Sequence, residues 1–182
     1  MKRGIVLFVL NFLKKPLQNA SIVPSSRAAA KVMIADVDFS RVHTVLELGP
    51  GTGVFTQEII RRARADTTIV LIEIEESYVH ALRKRFGWRL AVEHTSAHFL
   101  DSVLKKHNID KVDLIVSGLP FFPGAVEGGL LQALRHHTDR GTIFRFFTYM
   151  PPVMKRVYKD LLVRKIAFVA RNIPPLWVYG IN

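Results

Sequence analysis

The stretch Val45-Leu46-Glu47-Leu48-Gly49-Pro50-Gly51-Thr52-Gly53-Val54-Phe55 decides the fold. Its first four residues are apolar except for Glu47, and three glycines then alternate with other residues before a helical pattern begins. Glycine at these places lets the backbone turn tightly and approach a ligand closely, because no β-carbon stands in the way. The stretch therefore predicts a strand, a ligand-binding turn and a helix, with a tight turn that binds no ligand as the alternative.

A second acidic residue stands near the end of the next predicted strand. Glu73 follows Glu47 by 26 positions and ends the apolar run that starts at Ile69. In a doubly wound sheet, a carboxylate at this place accepts hydrogen bonds from both hydroxyls of a ribose. Glu75 and Glu76 fall in the first turn of the following helix, where they complement its positive end. Glu73 is therefore the predicted ribose ligand.

Strand-like and helix-like segments alternate along the rest of the chain. Strands are predicted at 44–48, 68–74, 90–93, 112–117, 142–148, 165–171 and 176–179, and helices at about 26–35, 55–65, 76–86, 97–107, 125–137 and 152–162. This alternation predicts an α/β fold with a seven-stranded, mostly parallel, Rossmann-like sheet and helices on both faces. We expect this domain to occupy residues 36–182.

The charge of the chain is unevenly distributed. The 182 residues contain 26 Lys and Arg against 15 Asp and Glu, a net charge of +11, and no cysteine, which excludes thiolate nucleophiles, zinc ribbons and redox pairs. Residues 1–35 carry +6, residues 36–116 carry −1 and residues 117–182 carry +6. A basic excess of this size points to an anionic partner, either nucleic acid or an anionic membrane surface.

The first 35 residues begin with a predicted amphipathic helix. The apolar run 4–13 is about half as long as the ~20 residues needed to span a bilayer. A secretory signal and a helix packed on the domain are two alternatives, and an interfacial helix is the third. We expect residues 1–35 to form membrane-docking and substrate-covering helices. The side chains expected at the membrane are basic or aromatic: Lys2, Arg3, Phe8, Phe12, Lys14 and Lys15.

Several motifs carry a resemblance to a known family. The pattern acid-x-Gly-x-Gly-x-Gly at 47–53 resembles motif I of the S-adenosylmethionine-dependent methyltransferases. Ser117-Gly118-Leu119-Pro120 stands where the ribosomal RNA adenine dimethyltransferases carry an Asn-Leu-Pro-Tyr type of motif, and it is similar to the bacterial phospholipid N-methyltransferases instead. Further stretches that resemble this second family are 22–26, 147–151 and 171–175 followed by Val178-Tyr179.

The resemblance implies transfer of methyl groups from S-adenosylmethionine to the amine of phosphatidylethanolamine, towards its monomethyl and dimethyl forms and phosphatidylcholine. S-adenosylhomocysteine would be the product of the cofactor, no metal is expected, and the enzyme would work peripherally on the cytoplasmic face of the membrane. The implied catalytic residues are Ser117, Gly118 and Tyr149, and the implied substrate-side residues include Pro120 and Phe121. The implied cofactor residues are Glu47, Gly49, Gly51, Gly53, Glu73, Ile74, Ser96, Ala97 and Ser117.

One position departs from the family pattern, and two alternative functions stay open. Ser96 occupies the place of an acid that accepts a bond from the adenine amino group, and its hydroxyl accepts a hydrogen bond without charge. The first alternative is a ribosomal RNA adenine N6-methyltransferase, in which Phe121 would stack on a flipped base. The second is a non-catalytic membrane-binding module with the same fold. The wide apolar face of the first helix favours an anionic membrane over nucleic acid as the partner.

Overall fold

The computed structural model describes residues 26–119, 129–149, 151–159, 161–170, 172 and 175–182. The predicted helix at 4–13 lies outside the described residues, as do the six side chains expected at the membrane and the substrate-side residues Pro120 and Phe121. Within the described ranges, no helix has the length and apolar character needed to cross a membrane.

Seven strands form one sheet. They are β1 (Thr44–Leu48), β2 (Thr68–Glu73), β3 (Ala91–His94), β4 (Leu114–Ser117), β5 (Ile143–Thr148), β6 (Arg164–Val169) and β7 (Leu176–Ile181). Their order is β3-β2-β1-β4-β5-β7-β6, with β1 to β5 parallel and β7 antiparallel to both of its neighbours. The predicted mostly parallel α/β sheet is therefore confirmed.

Helices follow the strands as predicted, with shifts at their ends: the helix predicted over 152–162 ends at Val157, and residues 125–128 of the helix predicted over 125–137 lie outside the described residues. They are α1 (Ser26–Met33), α2 (Val54–Arg62), α3 (Glu76–Phe86), α4 (Leu100–Lys106), α5 (Gly129–Asp139) and α6 (Pro151–Val157). The helix predicted from residue 97 starts instead as a short 3₁₀ turn, Ala97–Phe99, because the Ser96 side chain caps it by accepting from the backbone N–H of His98. Strand β7 runs two residues further than predicted, because it pairs with β5 as far as Ile181.

The sheet separates two hydrophobic cores. Helices α1, α2 and α3 cover one face, where Met33, Ile59 and Leu82 are buried. Helices α4, α5 and α6 cover the other face, where Leu100 and Leu134 are buried. Successive residues of a strand point to opposite faces, so both cores hold the strands in place. The carboxyl ends of the five parallel strands consequently form a fixed edge.

A buried cation ties the segment after α1 and the end of β7 to this sheet. Arg145 on β5 is 1% exposed, and its guanidinium lies 2.9 Å from the carboxylate of Asp36, just beyond α1. It also donates to the backbone carbonyl of Ile181 at 2.9 Å. Burying a guanidinium is favourable only when such partners replace water. Arg145 therefore fixes α1 and the end of β7 against the middle of the sheet.

Candidate active site

The predicted site residues of β1 and β4 meet at the carboxyl edge of the sheet. The two strands are adjacent and parallel, with Leu48 opposite Ser117. The backbone N–H of Gly118 donates to the carbonyl oxygen of Leu48 at 2.8 Å, and a β-carbon added to Gly118 would lie 2.5 Å from the carbonyl oxygen of Gly49. Only glycine allows so close an approach, so position 118 brings β4 directly against the glycine turn.

The glycine turn itself has the conformation that its sequence predicts. The φ angles of Gly49, Gly51 and Gly53 are +66°, +54° and +77°, values that favour glycine. A β-carbon added to Gly51 would meet no atom within 4 Å, so the turn is open on that side. A backbone loop with an open side and a nearby helix N-terminus provides the shape of a ligand cradle.

Glu73 organises this turn through its side chain. One carboxylate oxygen accepts from the backbone N–H of Gly51 at 2.9 Å, and the other accepts from the N–H groups of Ile74 and Glu75, both at 2.9 Å. A carboxylate offers about four lone-pair positions, so the oxygen bound to Gly51 retains one for a ribose hydroxyl. Glu73 can thus bind the turn and a ribose hydroxyl at the same time. Its three backbone donors leave fewer lone pairs for the ribose than the sequence alone suggested.

Glu47 lies beneath the turn in a buried position. Its carboxyl group is 1% exposed and accepts a hydrogen bond of 2.7 Å from the hydroxyl of Thr56, which is also buried. Burial raises the pKa of Glu47 to about 8, and the nearby charge of Glu73 acts in the same direction. Near neutral pH the carboxyl group is therefore mostly protonated in the protein by itself.

The carboxylate of Glu73, joined by that of Glu47 once a cationic ligand favours its charged form, gives the site a negative character that suits a cationic ligand. Neither Glu47 nor Glu73 has a Lys, Arg or His partner within 4.0 Å among the residues that the structure describes. S-adenosylmethionine combines a ribose, an ammonium group and a sulfonium, and when bound it supplies an activated methyl group. Glu73 would hold its ribose, the open glycine turn its chain, and Glu47 would face its cationic end. The residues present therefore fit this cofactor.

The predicted adenine-side residues lie along the ends of β2 and β3. Ile74 follows β2 and is 69% exposed, and Phe99 at the end of the 3₁₀ turn is 58% exposed. Ala97 is buried in the core beneath α4. The Ser96 hydroxyl accepts from the His98 backbone and also lies 3.0 Å from Nδ1 of His98, so its first role is to cap the turn. Binding of adenine by Ile74, Ser96 and Ala97 stays a prediction.

Tyr149 directly follows β5 and is held on two sides. The ring of Phe147 stacks on that of Phe55, at 5.4 Å between centroids, and meets the ring of Tyr149 edge-on at 5.6 Å. The side chain of Asn172 forms a hydrogen bond with the Tyr149 hydroxyl that lowers its pKa, but burial outweighs it, so the Tyr149 pKa is raised from 10.0 overall. The hydroxyl therefore keeps its proton at neutral pH.

Three residues of this site were missed as functional by the sequence reasoning. Thr56 pairs with Glu47 and stands three residues after Gly53, a spacing that an acid-x-Gly-x-Gly-x-Gly-x-x-Thr search would find. Asn172 was noted only as part of a motif, and its contact with Tyr149 depends on how β6 and β7 return along the sheet. Phe147 was likewise noted only as part of the stretch 147–151, and its stacking on Phe55 depends on the packing of α2 against the sheet.

The structure brings Glu47, the three glycines, Glu73, Ser117 and Gly118 to one edge of the sheet. Ser117 is buried, and its hydroxyl accepts from the backbone N–H of Leu119 at 3.3 Å. Among the described residues, no group of three or more His, Cys, Asp or Glu side chains is placed to hold a metal ion. The catalytic and substrate roles of the individual residues stay predictions.

Solved structures share this fold. Fibrillarin from Aeropyrum pernix, in complex with bound S-adenosylmethionine, superposes with a TM-score of 0.64 at 15% identity, over 87% of this chain and 75% of that chain. The precorrin-6y C5,15-methyltransferase from Geobacter metallireducens superposes with a TM-score of 0.63 at 12% identity, over 86% of each chain. At these identities the likeness supports the fold alone.

Sequence comparison reaches further than the fold. An ornithine lipid N-methyltransferase from Singulisphaera acidiphila is 29% identical over 182 residues, which covers 97% of this chain and 95% of that protein. A mitochondrial ribosomal RNA small subunit methyltransferase from Arabidopsis thaliana is 30% identical over 92 residues, 49% of this chain and 22% of that protein. The family model for ribosomal RNA adenine dimethylase matches residues 8–121, well over half of the chain. Its match includes the glycine turn, Glu73 and Ser117, and the chain therefore belongs to the ribosomal RNA adenine dimethylase family of S-adenosylmethionine-dependent methyltransferases.

Proposed function

We propose that this methyltransferase acts on the amine of a membrane lipid, with phosphatidylethanolamine as the substrate, at an anionic membrane surface. The observation that carries the proposal is the end of β4, where buried Ser117 and Gly118 lie against the glycine turn. At this place the enzymes that methylate adenine in ribosomal RNA have the side-chain amide of Asn. A serine hydroxyl engaged with Leu119 is not a planar amide, so a flexible alkyl amine suits this site better than a flat base.

The relative from Singulisphaera acidiphila supports a lipid substrate. It is an ornithine lipid N-methyltransferase, and the similarity extends over nearly the full length of both chains. The ribosomal RNA methyltransferase from Arabidopsis thaliana aligns over only half of this chain. An ornithine lipid and phosphatidylethanolamine share an alkyl amine next to an anionic group. Ornithine lipid is therefore the second lipid to test.

The amine must lose a proton before it can accept a methyl group. A primary ammonium has a pKa near ~10 and carries no lone pair while it is protonated. Burial at the end of β4 would favour the neutral amine, because desolvation penalises the charged form. Backbone carbonyl oxygens at Ser117 and Gly118 would accept the N–H groups of the amine and direct its lone pair towards the methyl group. Orientation of this kind supplies much of the rate enhancement in a displacement reaction.

Tyr149 is suited to a different part of the headgroup. The Asn172 side chain is hydrogen-bonded to the Tyr149 hydroxyl. In this proposal the Asn172 amide donates to the phenol oxygen, which leaves the hydroxyl proton for an anionic oxygen of the headgroup. Tyr149 would thus bind the anion while Ser117 and Gly118 receive the amine.

The deciding assay offers methyl-labelled S-adenosylmethionine with three acceptors in parallel: phosphatidylethanolamine vesicles, ornithine lipid vesicles and ribosomal RNA. We expect label in the lipid extract, with phosphatidylethanolamine as an acceptor. Glu73→Ala serves as the inactive control, because it removes the acceptor of three backbone N–H groups around the cofactor turn. Label in ornithine lipid alone would show that the substrate is an ornithine lipid and not phosphatidylethanolamine. Label in RNA alone would refute the proposal.

A further inference from the structure

An exposed aromatic ring on the edge strand β6 lies beside a partly buried one on β7. Phe168 on β6 is 48% exposed, and its ring centroid lies 4.9 Å from that of Trp177 on β7. The two residues are paired in the antiparallel register, so both side chains point to the same face of the sheet. Trp177 packs against the core beneath α4, α5 and α6. The rings therefore form the outer margin of that core.

These rings lie at the carboxyl end of the parallel strands, which is also the end of the sheet that holds the active site. Trp177 pairs on its other side with Thr148, the last residue of β5, and Tyr149 follows at once. The pairs nearer the other end of β6 and β7, such as Arg164 with Gly180, are further from that edge. A surface in contact with Phe168 would consequently lie beside the substrate end of the site.

Exposed basic side chains are carried by the strand and the helix that form this face. Lys165 is exposed and pairs with Tyr179, whose side chain belongs to the same core as that of Trp177. Because the register shifts between Lys165 and Ala167, the side chains of Lys165 and Phe168 lie on the same face although they are three residues apart. The exposed positions at and beyond the end of α6 add Lys155, Arg156 and Lys159. Among the residues that the structure describes, none of these four cations has a carboxylate within 4.0 Å.

We propose that this ring-and-cation surface, formed by Phe168, Trp177, Lys165, Lys155, Arg156 and Lys159, docks on an anionic lipid bilayer. The proposal rests on the proposed lipid substrate and adds a second contact to the predicted N-terminal helix. Unpaired cations complement anionic headgroups, and tryptophan with phenylalanine is typical of the boundary between water and lipid. The rings lie at the margin of the hydrophobic core, where contact with lipid chains would bury their remaining apolar surface. A bilayer is therefore the partner that we propose, and RNA is the alternative outcome of the test.

The two tryptophans of the chain allow a direct test in the full-length protein. Trp88 is 82% exposed and lies before β3, at the opposite edge of the sheet from Trp177. The variant Trp88→Phe leaves Trp177 as the single fluorophore, and Trp177→Phe leaves Trp88. With vesicles of equal parts phosphatidylglycerol and phosphatidylcholine, we expect the Trp177 emission to shift to shorter wavelength and the Trp88 emission to stay constant.

Two independent substitutions measure the strength of the contact by vesicle sedimentation. Phe168→Ser removes a half-exposed ring, and we expect binding to weaken about tenfold, half the effect of a fully buried ring. Lys165→Gln removes one cation, with an expected loss of about fivefold at low salt. The matched controls are Trp88→Ser and Lys84→Gln, which remove an exposed ring and an exposed cation far from the proposed surface. Lys84 lies in the last turn of α3, and Trp88 follows that helix. Both controls should bind as the parent protein does.

The outcomes separate this surface from the substrate proposal, because binding and fluorescence require no methyl transfer. A blue shift and weakened sedimentation support the surface even where no lipid is methylated. Unchanged binding of Phe168→Ser and Lys165→Gln would overturn it, as would loss of binding in Trp88→Ser, since the membrane would then contact the opposite edge. A Trp177 shift with RNA and none with vesicles would also overturn it. The Lys165→Gln result is not affected by any loss of packing around Phe168.

Discussion

Glu47 offers the sharpest test of the site, because its burial makes the stability of the protein depend on pH. The native pKa of about 8 lies above the ordinary value of 4.5. Between these values the native state binds more protons than the unfolded state, so the free energy of unfolding falls as the pH rises. The difference between the two pKa values corresponds to a change of about 5 kcal/mol in the free energy of unfolding. About 3 kcal/mol of this change occurs between roughly pH 5.5 and pH 8.5.

The substitution Glu47→Gln removes this titration while keeping a carbonyl oxygen that accepts from Thr56. We expect the stability difference between parent and variant, measured by reversible urea unfolding without cofactor, to shift by about 3 kcal/mol in favour of the variant across that pH range. Other titrating groups contribute equally to both proteins and cancel in the difference.

Glu58→Gln is the matched control with the opposite sign, because the partners of Glu58 are arginine and lysine side chains that stay charged over this range. The hydrogen bond from Arg61 lowers the Glu58 pKa, so Glu58 is ionised in both states above its unfolded value and its stabilisation is lost only as the pH falls through the native value. The control should therefore show a constant offset over the same range. A difference between parent and Glu47→Gln that does not change with pH would refute the assignment of Glu47 as a buried, mostly protonated acid.

Four further predictions concern the cofactor and the substrate. A cationic ligand favours the charged form of Glu47, so the affinity for S-adenosylmethionine should rise with pH up to about 8 in the parent and stay level in Glu47→Gln, as calorimetric titration would measure. Glu73→Gln replaces three hydrogen bonds to a charged acceptor, and calorimetry should show an affinity at least about tenfold weaker. Asn172→Ala should raise the Tyr149 pKa further in an ultraviolet titration and lower kcat for lipid while leaving cofactor affinity unchanged. Gly118→Ala forces a β-carbon against a carbonyl oxygen, and urea unfolding should show a loss of about 2 kcal/mol or more.

The fold was predictable because its signals are local. The glycine turn at 49–53, the acid at Glu73 and the alternation of strand and helix patterns each depend on residues close in sequence. All seven strands lie where the sequence places them, and the differences are confined to strand and helix ends. Such ends are decided by pairing with neighbours, as for β7, whose last residues pair with β5.

The interactions inside the site were less predictable, because they depend on three-dimensional placement. The sequence indicates that Glu47 is near the cofactor, and the raised pKa follows only from its burial with Thr56. Glu73 was expected to bind ribose, and its three backbone donors follow from the way the turn lies over β2. The contact between Tyr149 and Asn172 joins residues that a whole hairpin separates. No local pattern reports contacts of this kind.

The cofactor site and the outer surface of the molecule have opposite charge, and this difference helps to identify the class of substrate. The carboxylate of Glu73, joined by that of Glu47 when a cationic ligand is bound, makes the cofactor edge negative, whereas Lys155, Arg156 and Lys165 make the outer surface positive. A lipid headgroup that carries an anionic group next to the acyl chains and an amine at its tip matches both signs, because the anion stays at the outer surface while the amine approaches the site as an ammonium and loses its proton to solvent before methyl transfer. An adenine in RNA matches only the outer charge, through its phosphates, and brings a neutral base to the negative edge. The electrostatics of the described residues therefore favour an amino lipid by the same argument that makes them suit a sulfonium cofactor.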